Sequence, residues 1–327
     1  MMSTRILGRS GIEVSALGMG CWAIGGPFWS GSQPLGWGQV DDEESVRAVR
    51  RALDLGVTFF DTANVYGAGH SERVLGRALG VDRDRVVVAT KWGNTFDEQT
   101  RQMDGTDGTP AGVRTALEAS LRRLGTDHVD LYQLHLGDLP VQATLDLVPV
   151  LDELVKAGSI RAYAWSTDDP ERVAAFAAAS DSVVAVQHDF SVLRDAPAML
   201  AMCDRFDLAS VNRGPLAMGL LTGKYTAESR LSEDDVRGIA PEWLSYFRDG
   251  RPSPEWLARV DAVRDILTSG GRSLAQGALA WLWARSPRTV PIPGCRTVAQ
   301  VEENAGALEH GPLTAEQVAE IAGLLGR

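Results

Sequence analysis

Short apolar stretches rich in β-branched residues recur along this chain, each followed by a polar or glycine-rich connection and then by a stretch of helical periodicity. Eight such runs stand at residues 14–20, 58–63, 86–91, 129–135, 160–166, 183–189, 208–213 and 289–294. Between them lie amphipathic segments with start and stop signals. Residues 41–56 carry acidic side chains in the first turn and Gly56 at the end, which suits the helix dipole and a glycine cap. Residues 109–125 begin with Thr109 as N-cap and Pro110 at the first helical position, and end at Gly125. Residues 143–158 and 169–179 repeat the design. Strict strand–helix alternation predicts parallel strands joined by right-handed crossovers, and eight units predict a closed (β/α)8 TIM barrel filling residues 1–327 as one α/β domain. The opening segment, TRIL-GRSG-IEV, predicts a β-hairpin capping the barrel floor. Two connections are longer than usual, 23–39 after the first strand and 224–271 after the seventh. Both fall on the C-terminal face, where barrel enzymes build their pockets.

The same register places four polar residues at or just beyond consecutive strand ends: Asp61, Tyr66, Lys91 and His135. In a barrel those ends converge on one mouth. A lysine cation stabilises a neighbouring phenolate and is expected to bring the tyrosine's acidity toward neutral pH. A carboxylate holds the lysine, and a histidine polarises a carbonyl by hydrogen bonding. The set is a general acid–base device for interconverting a carbonyl and an alcohol. None of its members stores electrons, so a hydride donor must bind beside it.

Composition narrows the partners. The formal net charge of −11 makes the chain a poor candidate for sequence-independent nucleic-acid binding and argues against an anionic membrane as partner. No apolar run reaches the length of a membrane span, and the polar N-terminus lacks the apolar core of a signal peptide. Three widely spaced cysteines, Cys21, Cys203 and Cys295, form neither a disulfide framework nor a zinc motif, so a reduced, cytoplasmic setting is expected. A metal-assisted barrel hydrolase would need clustered ligands. Asp61, His135, His188 and Asp189 are too scattered in the strand pattern to supply them, and no metal site is expected.

Over nearly its whole length the chain resembles the aldo-keto reductase superfamily, in its bacterial branch of stress-response and sugar- or pyridoxal-oxidising members. The resemblance rests on GVTFFDTANVYGAGHSERVLGRAL, VVVATKWG and HVDLYQLHLGD. It implies that Tyr66 is the proton donor, that Lys91 and Asp61 tune it, and that His135 orients the substrate oxygen. It also implies a cofactor, NADP (NADPH). SIRAYAWST is similar to the family's strand-five segment, so Ser166 and Thr167 take the nicotinamide carboxamide, although the second position departs from the usual asparagine. Gln187 matches the strand-six carboxamide contact. In VNRGPLAMGLLTGKY, Arg213 stands where many relatives stack a tyrosine on the nicotinamide, and its guanidinium plane can stack too. Gly214, Leu216, Gly219 and Leu221 then form a backbone belt around the pyrophosphate. TVPIPGCRTVAQVEENAGAL resembles the adenosine-phosphate segment. Gly294 and Arg296 precede a helix, a natural anion site, and Gln300, Glu303 and Asn304 share one helical face. Arg296 near the ribose favours a 2′-phosphate, hence NADP over NAD.

The resulting expectation is an NADP-dependent oxidoreductase, monomer or homo-oligomer, acting reversibly on a small aldehyde, ketone or alcohol. Trp22, Trp29 and Trp92 are assigned to the pocket wall, which points to an aromatic or sugar-like substrate, whereas Trp37 is read as structural and Trp165 as facing the helices. The rival reading is a nicotinamide-binding, redox-sensing interaction protein of low turnover.

Overall fold

The period-2 alternation of eight short strands decides which side chains fill the centre of the molecule and which meet the helices. The protein is described by a computed structural model covering residues 3–239 and 241–327. The barrel strands are β1 (Gly18–Gly20), β2 (Phe59–Asp61), β3 (Val87–Trp92), β4 (Val129–Leu134), β5 (Ile160–Ser166), β6 (Val183–Asp189), β7 (Ala209–Arg213) and β8 (Thr289–Pro291). They pair in sequence order and all in parallel. The two edges meet at a parallel bridge between Gly20 and Gly294, where the Gly20 amide donates to the Pro293 carbonyl at 3.0 Å. Only glycine allows this approach, because a Cβ on residue 20 would stand 2.6 Å from the Ile292 carbonyl oxygen.

Inward positions carry Phe59, Val87, Ala89, Leu131, Ala162, Ala164, Ala185, Ala209, Val211 and Val290, which pack as one buried cluster. Leu7, Ile12 and Val14 join it from below. They belong to the N-terminal hairpin, in which Thr4–Ile6 pairs antiparallel with Glu13–Ser15. The first apolar run is therefore divided. Residues 14–15 complete the hairpin and only Gly18–Gly20 enter the barrel. The Ser15 hydroxyl, donating to the Leu17 carbonyl at 2.6 Å, helps to fix the turn between them.

Outward positions carry the tryptophans and tyrosines of the strands. Trp92 packs against Tyr132 with ring centroids 4.3 Å apart, and Trp165 meets Phe176 edge-on at 5.7 Å. Each such ring buried between sheet and helices contributes roughly 1.5–3 kcal/mol.

The surrounding helices start where their capping residues stand. They are α1 (Asp42–Asp54), α2 (His70–Leu79), α3 (Pro110–Leu124), α4 (Val148–Lys156), α5 (Pro170–Ala179), α6 (Pro197–Phe206), α7 (Pro254–Leu267), α8 (Leu274–Arg285), α9 (Val298–His310) and α10 (Ala315–Leu324). Asp41, Thr109 and Asp169 accept hydrogen bonds from first-turn amides of α1, α3 and α5. The single helix expected over 143–158 is two, a short turn at Val141–Leu145 and then α4, which restarts with Pro149 in its first turn, where a missing N–H costs nothing. Among the described residues, no helix is long and apolar enough to cross a membrane.

The long connections also differ from expectation. Trp29–Ser30 and Gln33–Pro34 of the first loop join Asn94–Asp97 and Gln102–Thr106 in a four-stranded sheet. The 224–271 segment includes a one-turn helix, Val236–Ile239, and a two-stranded ribbon, Phe247–Arg248 with Arg251–Pro252. Beyond Ser253 it is α7, whose Val260, Val263 and Leu267 are buried at helical spacing. The closure at Gly20 has a direct consequence: Gly20→Ala is expected to pry β1 from the β8 edge and destabilise the fold by about 1–3 kcal/mol. Thermal or denaturant unfolding measures this, and an unchanged midpoint would show that the seam yields at no cost.

Candidate active site

Above the apolar layer, the next inward position on successive strands is polar. β2 ends in Asp61, β3 carries Lys91, β4 carries Gln133 with His135 just beyond it, β5 ends in Ser166, β6 carries Gln187 and β7 ends in Arg213. Lys91 has no solvent-exposed surface. Its ammonium donates to Asp61 Oδ1 at 2.6 Å, to the Thr62 carbonyl at 2.8 Å and to the Tyr66 hydroxyl at 3.2 Å. The other Asp61 oxygen accepts from Gln133 Nε2 at 2.7 Å and Gln187 Nε2 at 2.8 Å. The His135 ring stands edge-on to Tyr66, with centroids 5.9 Å apart, and its Nδ1 is buried without a partner. The four residues singled out from the sequence therefore meet at one point. Gln133 was missed, although it lies on the same inward register two residues before His135.

Tyr66 is held by the turn that follows β2. Gly67 has φ +61°, and a Cβ there would fall 1.8 Å from the Gly25 carbonyl oxygen. The Ser71 amide donates to the Tyr66 carbonyl at 3.2 Å. The Ser71 hydroxyl bonds the Cys21 carbonyl at 2.7 Å and lies 2.8 Å from Thr62 Oγ1. The start of α2 thus ties the Tyr66 turn to the end of β1.

The electrostatics assign protonation states. Burial raises the Tyr66 phenol above its ordinary value, and the nearby Lys91 cation offsets this only in part. The expected shift toward neutrality is therefore reversed in this structure, because desolvation outweighs one cation already paired with Asp61. Burial alone would lower the Lys91 ammonium, but Asp61 and Tyr66 overcome it and hold it above its usual value. Burial, then the positive charges of Lys91 and Arg213, push His135 well below the ordinary histidine range. The site holds a protonated phenol, a lysine cation and a neutral imidazole.

The residues expected to hold a dinucleotide ring the same mouth. Ser166 ends β5 on the inner face, whereas the Thr167 hydroxyl is engaged by the Gly137 carbonyl at 2.7 Å. Gln187 spends its amide nitrogen on Asp61 and, at 3.2 Å, on Gln133 Oε1. Arg213 forms an ion pair with Asp168. After it the chain turns through positive φ at Gly214, Ala217, Met218 and Gly219, while Leu216 and Leu221 point into the core.

The start of α9 differs from a free anion site. The Arg296 amide donates to Gln300 Oε1 and the Val298 amide to Glu44 Oε1, so neighbouring side chains already satisfy these donors. Asn304 is buried and donates to Cys295 Sγ. The Glu303 carbonyl accepts from Gln276 Nε2. The Arg296 side chain donates to the Trp37 carbonyl at 3.0 Å. Over the Trp37 ring, 4.3 Å from its centroid, lies the guanidinium of Arg237, which is paired with Asp235. Lys224 completes the cluster, its ammonium lowered by burial and by Arg237 and Arg296. Lys224 and Arg237 were not anticipated. They sit in the connection after β7, Arg237 in a helix of a single turn, Val236–Ile239, too short to leave a periodic signal.

The tryptophans divide. Trp22 lies near-parallel to Tyr66 at 5.8 Å and edge-on to Trp37 at 5.2 Å. Trp29 is half-buried in the four-stranded sheet above the mouth. Trp92, assigned to the pocket wall, is instead wholly buried under α3 side chains with Tyr132. Lys91 faces inward, so its neighbour on the strand must face out. Trp165 faces the helices as well. His188 also points outward, its Nε2 2.7 Å from Ser210 Oγ.

The model of the Aldo/keto reductase family matches residues 16–325. The aldo-keto reductase YhdN of Bacillus subtilis is 32% identical over 300 residues, covering 90% of this chain and 85% of that protein. The glycerol dehydrogenase AKR11B4 of Gluconobacter oxydans superposes with a TM-score of 0.81 at 28% identity, covering 99% of this chain and 95% of that one. An aldo/keto reductase of Klebsiella pneumoniae, solved with NADP and acetate, gives a TM-score of 0.70 at 26% identity over 99% and 96% of the two chains. With its barrel, its buried Asp–Lys–Tyr–His group and these likenesses, the chain belongs to the aldo/keto reductase family.

Proposed function

We propose that the protein is an NADPH-dependent carbonyl reductase, reversible in principle, that converts a small aldehyde or ketone into its alcohol in a reducing, cytoplasmic compartment. The observation that carries this reading is the Lys91 ammonium bonded at once to Asp61 and to the Tyr66 hydroxyl, beside a neutral His135. A substrate carbonyl oxygen between Tyr66 and His135 accepts a hydrogen bond from each. As negative charge grows on that oxygen, the Tyr66 O–H bond breaks and its proton passes to the alkoxide. Lys91, 3.2 Å away, stabilises the phenolate left behind, and Asp61 keeps the lysine in place. Bound NADPH supplies the hydride that completes the reduction.

The residues present fit that cofactor. Arg237 and Arg296 meet at Trp37, and Lys224, whose ammonium is lowered by burial and then by these two cations, adds a third positive group that an anion can engage. Among the described residues, neither Lys224 nor Arg296 has a carboxylate in an ion pair. We place the 2′-phosphate at these side chains rather than at the backbone amides of α9. Ser166 and Gln187 border the inner end of the mouth, where the nicotinamide carboxamide is placed, and Arg213 is the flat group for its ring.

Tyr66→Phe is expected to lower the rate of carbonyl reduction at least about 10²-fold while leaving NADPH binding, read by tryptophan fluorescence, nearly intact. Turnover that survives the substitution would exclude Tyr66 as proton donor. Tight, slowly exchanging NADPH with no turnover in the wild-type protein would favour the redox-sensing reading instead.

The pH dependence follows from the same charges. Reduction needs Tyr66 protonated and His135 neutral. The kcat/KM profile is therefore expected to run flat through the ordinary histidine range and to fall only above the ordinary tyrosine value. A limb centred near 6.5 would mean that His135 titrates in the working site.

Arg296→Ala is expected to weaken NADPH about tenfold more than NADH, a difference of ~1.4 kcal/mol. An equal loss for both would remove the 2′-phosphate from this arginine.

A further inference from the structure

The structure carries one large aromatic side chain that neither the fold nor the catalytic group accounts for. Trp243, in the irregular segment after β7, is 54% exposed, although Leu244, Tyr246 and Phe247 beside it are buried. The turn that bears it is anchored. The Leu244 amide donates to the Pro241 carbonyl at 2.7 Å, and the Ser253 amide to the Tyr246 carbonyl at 2.9 Å. Arg194 donates to Ser245 Oγ at 2.7 Å and lies over the Tyr246 ring at 4.8 Å. An indole is thus held out to solvent by neighbours that are locked down.

Its position is specific. The Trp243 ring centroid is 6.4 Å from that of Trp22, with the planes inclined by 35°. Trp22 in turn lies 5.8 Å from Tyr66, inclined by 22°. Trp22 cannot swing away, because its Nε1 donates to the Leu35 carbonyl at 3.0 Å and Trp37 abuts it edge-on. Three aromatic rings therefore form a continuous wall from the proton donor out to the rim, pre-set before any ligand arrives.

We propose that Trp243, together with Trp22, is a specificity-determining face for an aromatic substituent on the substrate's carbonyl carbon, so that aryl aldehydes are favoured over short aliphatic ones. This rests on the carbonyl-reductase reading and adds the substrate class. With the carbonyl oxygen held between Tyr66 and His135, the substituent that follows the wall lies along Trp22 and reaches Trp243. A flat aryl ring gains offset or tilted stacking on both indoles and covers the exposed one, whereas a short alkyl chain ends before the rim. Both tryptophans are ordered in advance, so little of that gain is lost to fixing side chains.

The test compares kcat/KM for benzaldehyde, propanal and glyceraldehyde, with NADPH, in the wild-type protein, Trp243→Ala and Trp243→Phe. NADPH affinity and thermal midpoint serve as checks on the fold. For Trp243→Ala, kcat/KM on benzaldehyde is expected to fall about tenfold, mainly through KM, while propanal and glyceraldehyde stay within about twofold. Trp243→Phe is expected to recover most of the loss. A benzaldehyde value that does not change, an equal loss on all three substrates, or a loss confined to glyceraldehyde overturns the proposal and leaves the reductase reading standing. A wild-type protein that binds NADPH but reduces none of the three overturns the reductase reading itself.

Discussion

A lysine ammonium with no exposed surface must be neutralised and fully hydrogen-bonded, or it cannot remain charged. Here Lys91 meets that demand through Asp61, the Thr62 carbonyl and the Tyr66 hydroxyl. Asp61, itself buried, meets the same demand through Lys91, Gln133 and Gln187. The network draws on β2, β3, β4 and β6, so it exists only when the barrel is closed. The same burial and charges favour a protonated phenol and a neutral imidazole at the mouth.

Closure depends on small residues at the seam and on an apolar floor. Gly20 lets β1 approach the end of β8, and the N-terminal hairpin inserts Leu7, Ile12 and Val14 beneath the inner cluster. The polar layer then lies on a dry base, which strengthens every interaction within it. Above it the connections add what the strands cannot. The first loop contributes Trp22 and Trp37, and the loop after β7 contributes Lys224, Arg237 and Trp243. Trp37 joins the two groups, with one edge toward Trp22 and its face under the Arg237 guanidinium.

Much of this was legible in the chain, where the signal is periodic. Eight apolar runs marked the strands, and Asp41, Thr109 and Asp169 marked helix starts because a side-chain oxygen beside free amides is a local interaction. Asp61, Lys91 and His135 could be placed because strand ends of a barrel converge. Trp92 was misplaced for want of the same rule, since the residue after an inward lysine faces the helices. The reading of Tyr66 as acidified failed for a different reason. Its sign depends on how far burial outweighs a cation already shared with Asp61, which no residue spacing reveals.

What the sequence determined by itself is the alternation of strands and helices, the caps that begin the helices, and the identity of the polar side chains that gather at the barrel mouth. All of these follow from contacts within a few residues or from a regular period. What only the tertiary structure decided is the division of the first apolar run between hairpin and barrel, the engagement of the α9 amides by Glu44 and Gln300, and the meeting of Arg237 and Trp243 with the first loop. Each depends on residues brought together from distant, irregular segments. There the backbone has no repeating geometry to carry a pattern, and packing and charge compensation settle the positions.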